Sequence, residues 1–154
     1  VYGFLNQNIK WMQKQSLRKI PFVGFASEKA GHVFVDNTNA ATRTASIRKA
    51  KEQIVNGVSM VIFPEGARTH DGRMGHFKRG AYHIAVDMKL PVVPLTINGP
   101  FDVLKRNTLR LRPSKMELII HEPIDTEGLK ESDIPGLIDR TRTIIHEALW
   151  DKYK

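Results

Sequence analysis

The stretch Phe63 to Gly80, FPEGARTHDGRMGHFKRG, follows the apolar run SMVIF and carries one glutamate, four lysine or arginine side chains and four glycines. A strand that breaks into Pro-Glu-Gly places Glu65 and the amides behind it at the carboxyl edge of a sheet, where open α/β folds bind ligands. Gly66 lets the backbone turn sharply, and Gly72 and Gly75 allow close approach to a ligand. Arg68 offers a planar fork to two phosphate oxygens, a geometry that lysine cannot reproduce. Glu65 could orient that arginine or accept from a substrate hydroxyl. These residues leave two readings open, a phosphate site and a solvated basic loop. A P-loop is not among them, because GARTHDGR lacks the Gly-Lys-Ser/Thr ending.

The histidines are the other candidates. His32 and Asp36, His83 and Asp87, and His121 and Asp125 stand four residues apart, and His146 and Asp151 five. On a helix, five residues turn about 140° past a full revolution, so His146 and Asp151 would face different directions. They read as a surface pair, and His83 with Asp87 as a local pair on one helix face. His70 and His76 flank the basic loop, either as phosphate donors or as solvated side chains. None pairs with a serine or cysteine nucleophile, and no spacing matches a metal site.

These residues need a frame. At 154 residues the chain has the size of one compact domain, long enough to bury a core. It has no cysteine, which excludes disulfides and thiolate metal sites. A formal charge of +8 suits nucleic acid, anionic lipid headgroups or phosphorylated metabolites. Aromatics are few, and no RNP-like, helix-turn-helix or KH signature occurs, so nucleic acid is not expected as a partner. No run approaches the ~20 apolar residues that span a bilayer. No signal peptide is read either, and a chain opening on Val1 in mid-pattern is expected to be trimmed at its N-terminus.

Strands are predicted at Asn8 to Gln15 (weakly), His32 to Asp36, Val58 to Phe63, Pro91 to Ile97 and Met116 to Ile120. Between them, Phe22 to Ala30 reads as a short helix or packed loop. Helices are expected at Ala45 to Val55, after the capping cluster NTNAATRT, with Gly57 as its stop, and at Ala81 to Met88. An amphipathic helix, Ser132 to Tyr153, closes the chain. Strands alternating with helices give an α/β fold, a mixed and mostly parallel sheet flanked by helices in a single domain, residues 1–154.

Read together, the blocks resemble the PlsC-type 1-acylglycerol-3-phosphate (lysophosphatidic acid) acyltransferases. VIFPEGART resembles their FPEGTRS block, AGHVFVDN their G-x-I-F-I-D-R block, and LPVVPLTING their V-P-I-V-P-V strand. SLRKIPFVG is similar to their K-x-L-x-x-I-P-x-x-G segment, with Lys14 at the opening lysine, and FKRGAYHIA to their F-K-x-G-A helix entry. Order and spacing agree from Lys14 to Gly99.

The resemblance implies a glycerolipid-acyltransferase-like fold and acyl transfer from acyl-CoA or acyl-carrier protein to a lysophospholipid hydroxyl, with no bound cofactor and no metal. It implies acceptor-phosphate binding by Glu65, Gly66 and Arg68, helped by Lys14 and Lys78, and an apolar acyl-donor wall at Val93 and Pro94. It also implies a histidine base held by an aspartate, in an N-H-x-x-x-x-D block expected upstream of Val1. Residues 1–154 are accordingly expected to be inactive by themselves. An anionic membrane surface is the expected partner, at the cytoplasmic face, with peripheral attachment or an upstream anchor. The alternative from another class is a non-catalytic module that binds anionic lipid or phosphate. Two departures stand out. Ala67 replaces the usual threonine, and Asn37 stands where the second block has arginine, with Arg43 the candidate to restore that charge.

Overall fold

The computed structural model describes residues 2–5, 7–36, 38–105, 107–108 and 110–154, and within these all side chains but those of residues 2, 4, 40 and 43. The chain divides into two compact units, residues 1–63 and 64–154.

The first unit is built on a parallel sheet in the order β2-β1-β3. A short helix, α1 (Tyr2–Leu5), precedes β1 (Asn8–Lys14). β2 (Val33–Val35) pairs with the far half of β1, Met12 opposite Val33, and β3 (Val58–Val61) with its near half, Ile9 opposite Ser59. The weak alternation NIKWMQK therefore occupies the centre of the sheet. A 3-10 turn (Gln15–Lys19) and α2 (Val23–Lys29) link β1 to β2, and α3 (Ala40–Gln53) links β2 to β3. Ile9, Val33 and Ala50 are essentially inaccessible to solvent.

α3 begins five residues before the expected Ala45. Asn39 caps it, its side chain accepting from the Thr42 N–H at 2.9 Å while the Thr42 hydroxyl takes the Asn39 N–H. That reciprocal pair satisfies two amides that a helix start otherwise leaves open. The helix ends at Gln53, and Gly57 sits in the turn leading to β3 rather than at the helix end.

The second unit has α4 (Gly80–Asp87), β4 (Leu95–Asn98), α5 (Pro100–Val103), β5 (Glu117–Ile120) and α6 (Ile134–Glu147). β4 and β5 run antiparallel, Thr96 opposite Ile119. The core gathers Phe77, Tyr82, Val86, Ile124, Ile134, Leu137 and Ile138. Each large apolar side chain buried there contributes about 1.5–3 kcal/mol. Tyr82, Ile84, Ala85 and Val86 are the buried residues of α4. α6 is shorter than expected because a long-range contact ends it. The fully buried Asn98 donates to the Ala148 carbonyl at 3.0 Å and accepts from the Trp150 N–H at 2.9 Å. Those groups thus turn to β4 instead of continuing a helix.

The α/β class and the parallel sheet with helical crossovers are as expected from the sequence. Among the described residues no helix is long and apolar enough to cross a membrane.

Candidate functional site

The loop from Pro64 to Arg79 is held at both ends. Phe77 is buried in the core of the second unit and Met74 packs against that core. The Lys78 N–H donates to the Pro64 carbonyl at 2.9 Å, drawing the two ends of the loop together. Between them the Glu65 carboxylate accepts from the Gly75 N–H at 2.8 Å. A ring of chain is thereby closed around Gly66.

Gly66 has φ +69°, and a Cβ there would stand 2.7 Å from Lys78 Nζ and 3.1 Å from its Cε. The lysine stem therefore lies across the bare backbone of Gly66. A positive φ and a side chain laid over Cα both call for glycine. Glu65, Gly66 and Lys78 are thus brought together, with Arg68 exposed on the same loop.

Glu65 is half-buried, and loss of water raises its pKa above the ordinary carboxylate value. The Gly75 amide and the positive field of Arg142 oppose that rise without cancelling it. Arg142 lies on α6, far along the chain, and no motif in the sequence connected it with Glu65.

The other two glycines serve the protein rather than a ligand. A Cβ on Gly72 would meet the rings of Phe101 and Tyr153 at 3.0 and 3.3 Å, and one on Gly75 would meet the Glu65 carboxylate at 2.9 Å. The loop packs against a built wall there: the Tyr153 hydroxyl donates to Asp102 at 2.8 Å, and Lys152 pairs with the same carboxylate at 2.5 Å. Those two donors hold the Asp102 carboxyl below its usual range.

Val93 is exposed and Pro94 buried, in the segment entering β4. The Pro94 carbonyl accepts from the His121 N–H at 3.1 Å. Lys14 belongs to the first unit, exposed at the end of β1. Asn37 and the Arg43 side chain lie outside the described residues.

The histidines divide among ordinary roles. His32 Nδ1 accepts from the Trp11 N–H at 3.3 Å, and burial together with nearby Lys10 lowers its pKa. His121 bonds the Thr96 hydroxyl at 2.9 Å, and His83 faces Glu131 at 3.8 Å. His146 lies in the last turn of α6, while Asp151 is almost fully exposed and paired with Lys154 at 3.0 Å. His70 and His76 are exposed beside the loop. Among the described residues no three ligating side chains gather as a metal site.

With this geometry in hand, the comparisons with known proteins agree among themselves. The family model described as Acyltransferase matches residues 2–98. The chain is similar to 1-acyl-sn-glycerol-3-phosphate acyltransferase alpha of Ovis aries, 34% identical over 77% of this chain and 42% of that protein. It is also similar to 1-acyl-sn-glycerol-3-phosphate acyltransferase of Cocos nucifera, 30% identical over 92% of this chain and 46% of that one. Among solved structures it is similar to the 1-acyl-sn-glycerophosphate (LPA) acyltransferase PlsC of Thermotoga maritima. That match has a TM-score of 0.68 and 29% identity, covering 94% of this chain and 59% of that one. The chain spans less than half the length of these curated relatives. The resemblance drawn from the five blocks is borne out.

Proposed function

The chain belongs to the acyltransferase family, and from that premise we propose that it is the acceptor-holding part of an O-acyltransferase of phospholipid biosynthesis. The reaction carries a fatty acyl group from acyl-CoA or acyl-carrier protein to the hydroxyl of lysophosphatidic acid or a related lysophospholipid. The hydroxyl oxygen attacks the thioester carbonyl, a C–O bond forms as the C–S bond breaks, and the hydroxyl proton passes through a base to the leaving thiolate. The thioester is already the activated group, so the scheme draws on no bound cofactor.

The observation that carries this reading is the ring around Gly66. A backbone without a side chain, an ammonium laid across it and an exposed guanidinium on the same loop form a cradle suited to a phosphate. In the proposal Arg68 and Lys78 hold the acceptor phosphate, Gly66 permits its approach, and Glu65 fixes the loop with one oxygen. Val93 and Pro94 contribute to the apolar wall for the donor chain.

The base is assigned to an N-H-x-x-x-x-D block, which does not occur within residues 1–154. A positioned base contributes about 10²–10⁴-fold, with the aspartate fixing the histidine tautomer. Residues 1–154 assayed alone are therefore expected to show no substantial acyl transfer, and turnover there would refute that assignment. The second reading is a module that holds anionic lipid or phosphate without chemistry. Joining the chain to a segment bearing the block separates the two: the enzyme reading requires turnover, and the module stays inert.

In a protein carrying that block, Arg68→Ala removes a charge-assisted contact of about 1.5–3 kcal/mol. The KM for lysophosphatidic acid should rise roughly tenfold to a hundredfold, with the donor KM unchanged. Equal losses for both substrates would contradict the phosphate role. The partner surface in this reading is an anionic bilayer at the cytoplasmic face, approached peripherally or through an upstream anchor. Each lysine or arginine near it contributes about 1 kcal/mol.

A further inference from the structure

A helix on a protein core turns its large apolar side chains inward and its small or polar ones outward. α2 does the reverse. Its buried residues are Gly24 and Ser27, while Phe25 is 67% exposed and Val23 47%. Just ahead of it, Phe22 is 88% exposed. Ile20 lies open to solvent as well.

The inversion is built in. A Cβ at position 24 would stand 2.1 Å from the Arg18 carbonyl oxygen, so only glycine fits where α2 meets the 3-10 turn. The Gly24 N–H donates to the Ile20 carbonyl at 2.9 Å, and the Ser27 carbonyl accepts from the His32 N–H at 2.9 Å. With 24 and 27 fixed inward, positions 22, 23 and 25 face out.

The backbone at Phe22 adds a second observation. Its φ of 62° and ψ of −45°, with the Val23 N–H donating to the Pro21 carbonyl at 2.7 Å, form a classic γ-turn. That turn is rare and strained for a residue bearing a side chain. The chain thus keeps an aromatic ring in water on a backbone that glycine would adopt more readily. Arg18, Lys19 and Lys29, all exposed, belong to the same stretch of chain. Lys29 Nζ lies 5.7 Å over Phe25, and the acidic neighbour Glu28 is paired with Arg18 at 2.5 Å.

We propose that this knuckle, Arg18 to Lys29, docks into the interface of an anionic lipid bilayer. Phe22, Val23 and Phe25 enter the boundary between headgroups and acyl chains, and Lys19 and Lys29 meet lipid phosphates. An apolar tip with lysines beside it is what that interface rewards. A second copy suits the surface less well, because a two-fold contact would set the same cations against each other. The inference deepens the membrane part of the proposed function and rests on it, but its test involves no acyl transfer.

The test is cosedimentation of the intact chain with phosphatidylcholine vesicles, with and without phosphatidylglycerol. Wild type should bind the phosphatidylglycerol vesicles, and F22S/F25S should bind them about tenfold more weakly or worse, as expected for losing buried aromatic area. Undiminished binding by that variant overturns this surface and leaves the membrane reading standing. Wild type that binds neither vesicle overturns both, while the acyl-transfer reading is judged by its own assay. A variant that goes from dimer to monomer with vesicle binding intact overturns the bilayer in favour of a second copy. Phe22→Gly separates docking from folding: the melting midpoint should rise while binding weakens. A fall in the midpoint would mean that Phe22 holds the fold, and would overturn the proposal.

Discussion

Among the turns that take positive φ, those at Gly66 (φ +69°) and at Phe22 (φ 62°) make a contrast. At the first the side chain is missing, and Lys78 lies where it would have been. At the second the side chain is present, large and almost wholly in solvent. One conformation therefore serves opposite ends. Glycine makes room at 66, and phenylalanine at 22 keeps a ring presented despite the strain. In α2 the neighbouring glycine, Gly24, explains how that presentation is enforced.

The sharpest way to break this contrast is Gly24→Ala. Its Cβ would meet backbone, the Arg18 carbonyl at 2.1 Å, and backbone cannot swing aside as a side chain can. We expect a loss of about 3 kcal/mol, read as a lower denaturant midpoint at unchanged m-value. A change of a few tenths would mean that α2 does not pack through Gly24. Gly66→Ala comes next, at about 1–2 kcal/mol. The neighbour it meets is the flexible tip of Lys78, so the cost is mostly the positive φ. Thermal unfolding should move down for Gly66→Ala and up for Phe22→Gly. Shifts of the same sign would erase the contrast.

The legibility of the chain follows from which forces are local. β3, α4 and β5 were readable because their patterns are carried by adjacent side chains. The capping cluster before α3 was also visible. The cap, Asn39 paired with Thr42, starts the helix at Ala40, five residues ahead of the sequence expectation. The end of α6 was not readable, since Asn98 on β4 takes the Ala148 and Trp150 groups from far along the chain. Phe22 to Ala30 had the composition of a helix or a packed loop. Which face turned inward depended on the Arg18 carbonyl against Gly24, a backbone contact that no side-chain periodicity reports. In the site, the residues proposed to bind phosphate stand out as types and as blocks. The Glu65–Gly75 closure and the field of Arg142 did not, because both depend on the folded loop.

The smallest effect expected is also the most direct probe of the ring around Gly66. Burial raises the Glu65 pKa above its ordinary value of 4.5, so the folded chain holds this proton more tightly than the unfolded chain does. Stability then falls as pH rises from about 4.5 through the raised folded value, and is level above it. This is opposite in sign to the usual carboxylate, whose folded-state pKa is depressed. Glu65→Gln keeps an oxygen to accept from the Gly75 N–H but removes the titration. It should flatten that part of the pH–stability curve and leave the variant slightly more stable than wild type above the window. Urea midpoints measured across mildly acidic pH check this, and a variant that keeps the wild-type slope would place the titration elsewhere. If the same substitution weakens acceptor binding in a complete enzyme, the charge at 65 is retained at a cost to stability because the site uses it. If binding is unchanged, Glu65 is a latch on the loop, and the cradle belongs to Gly66, Arg68 and Lys78.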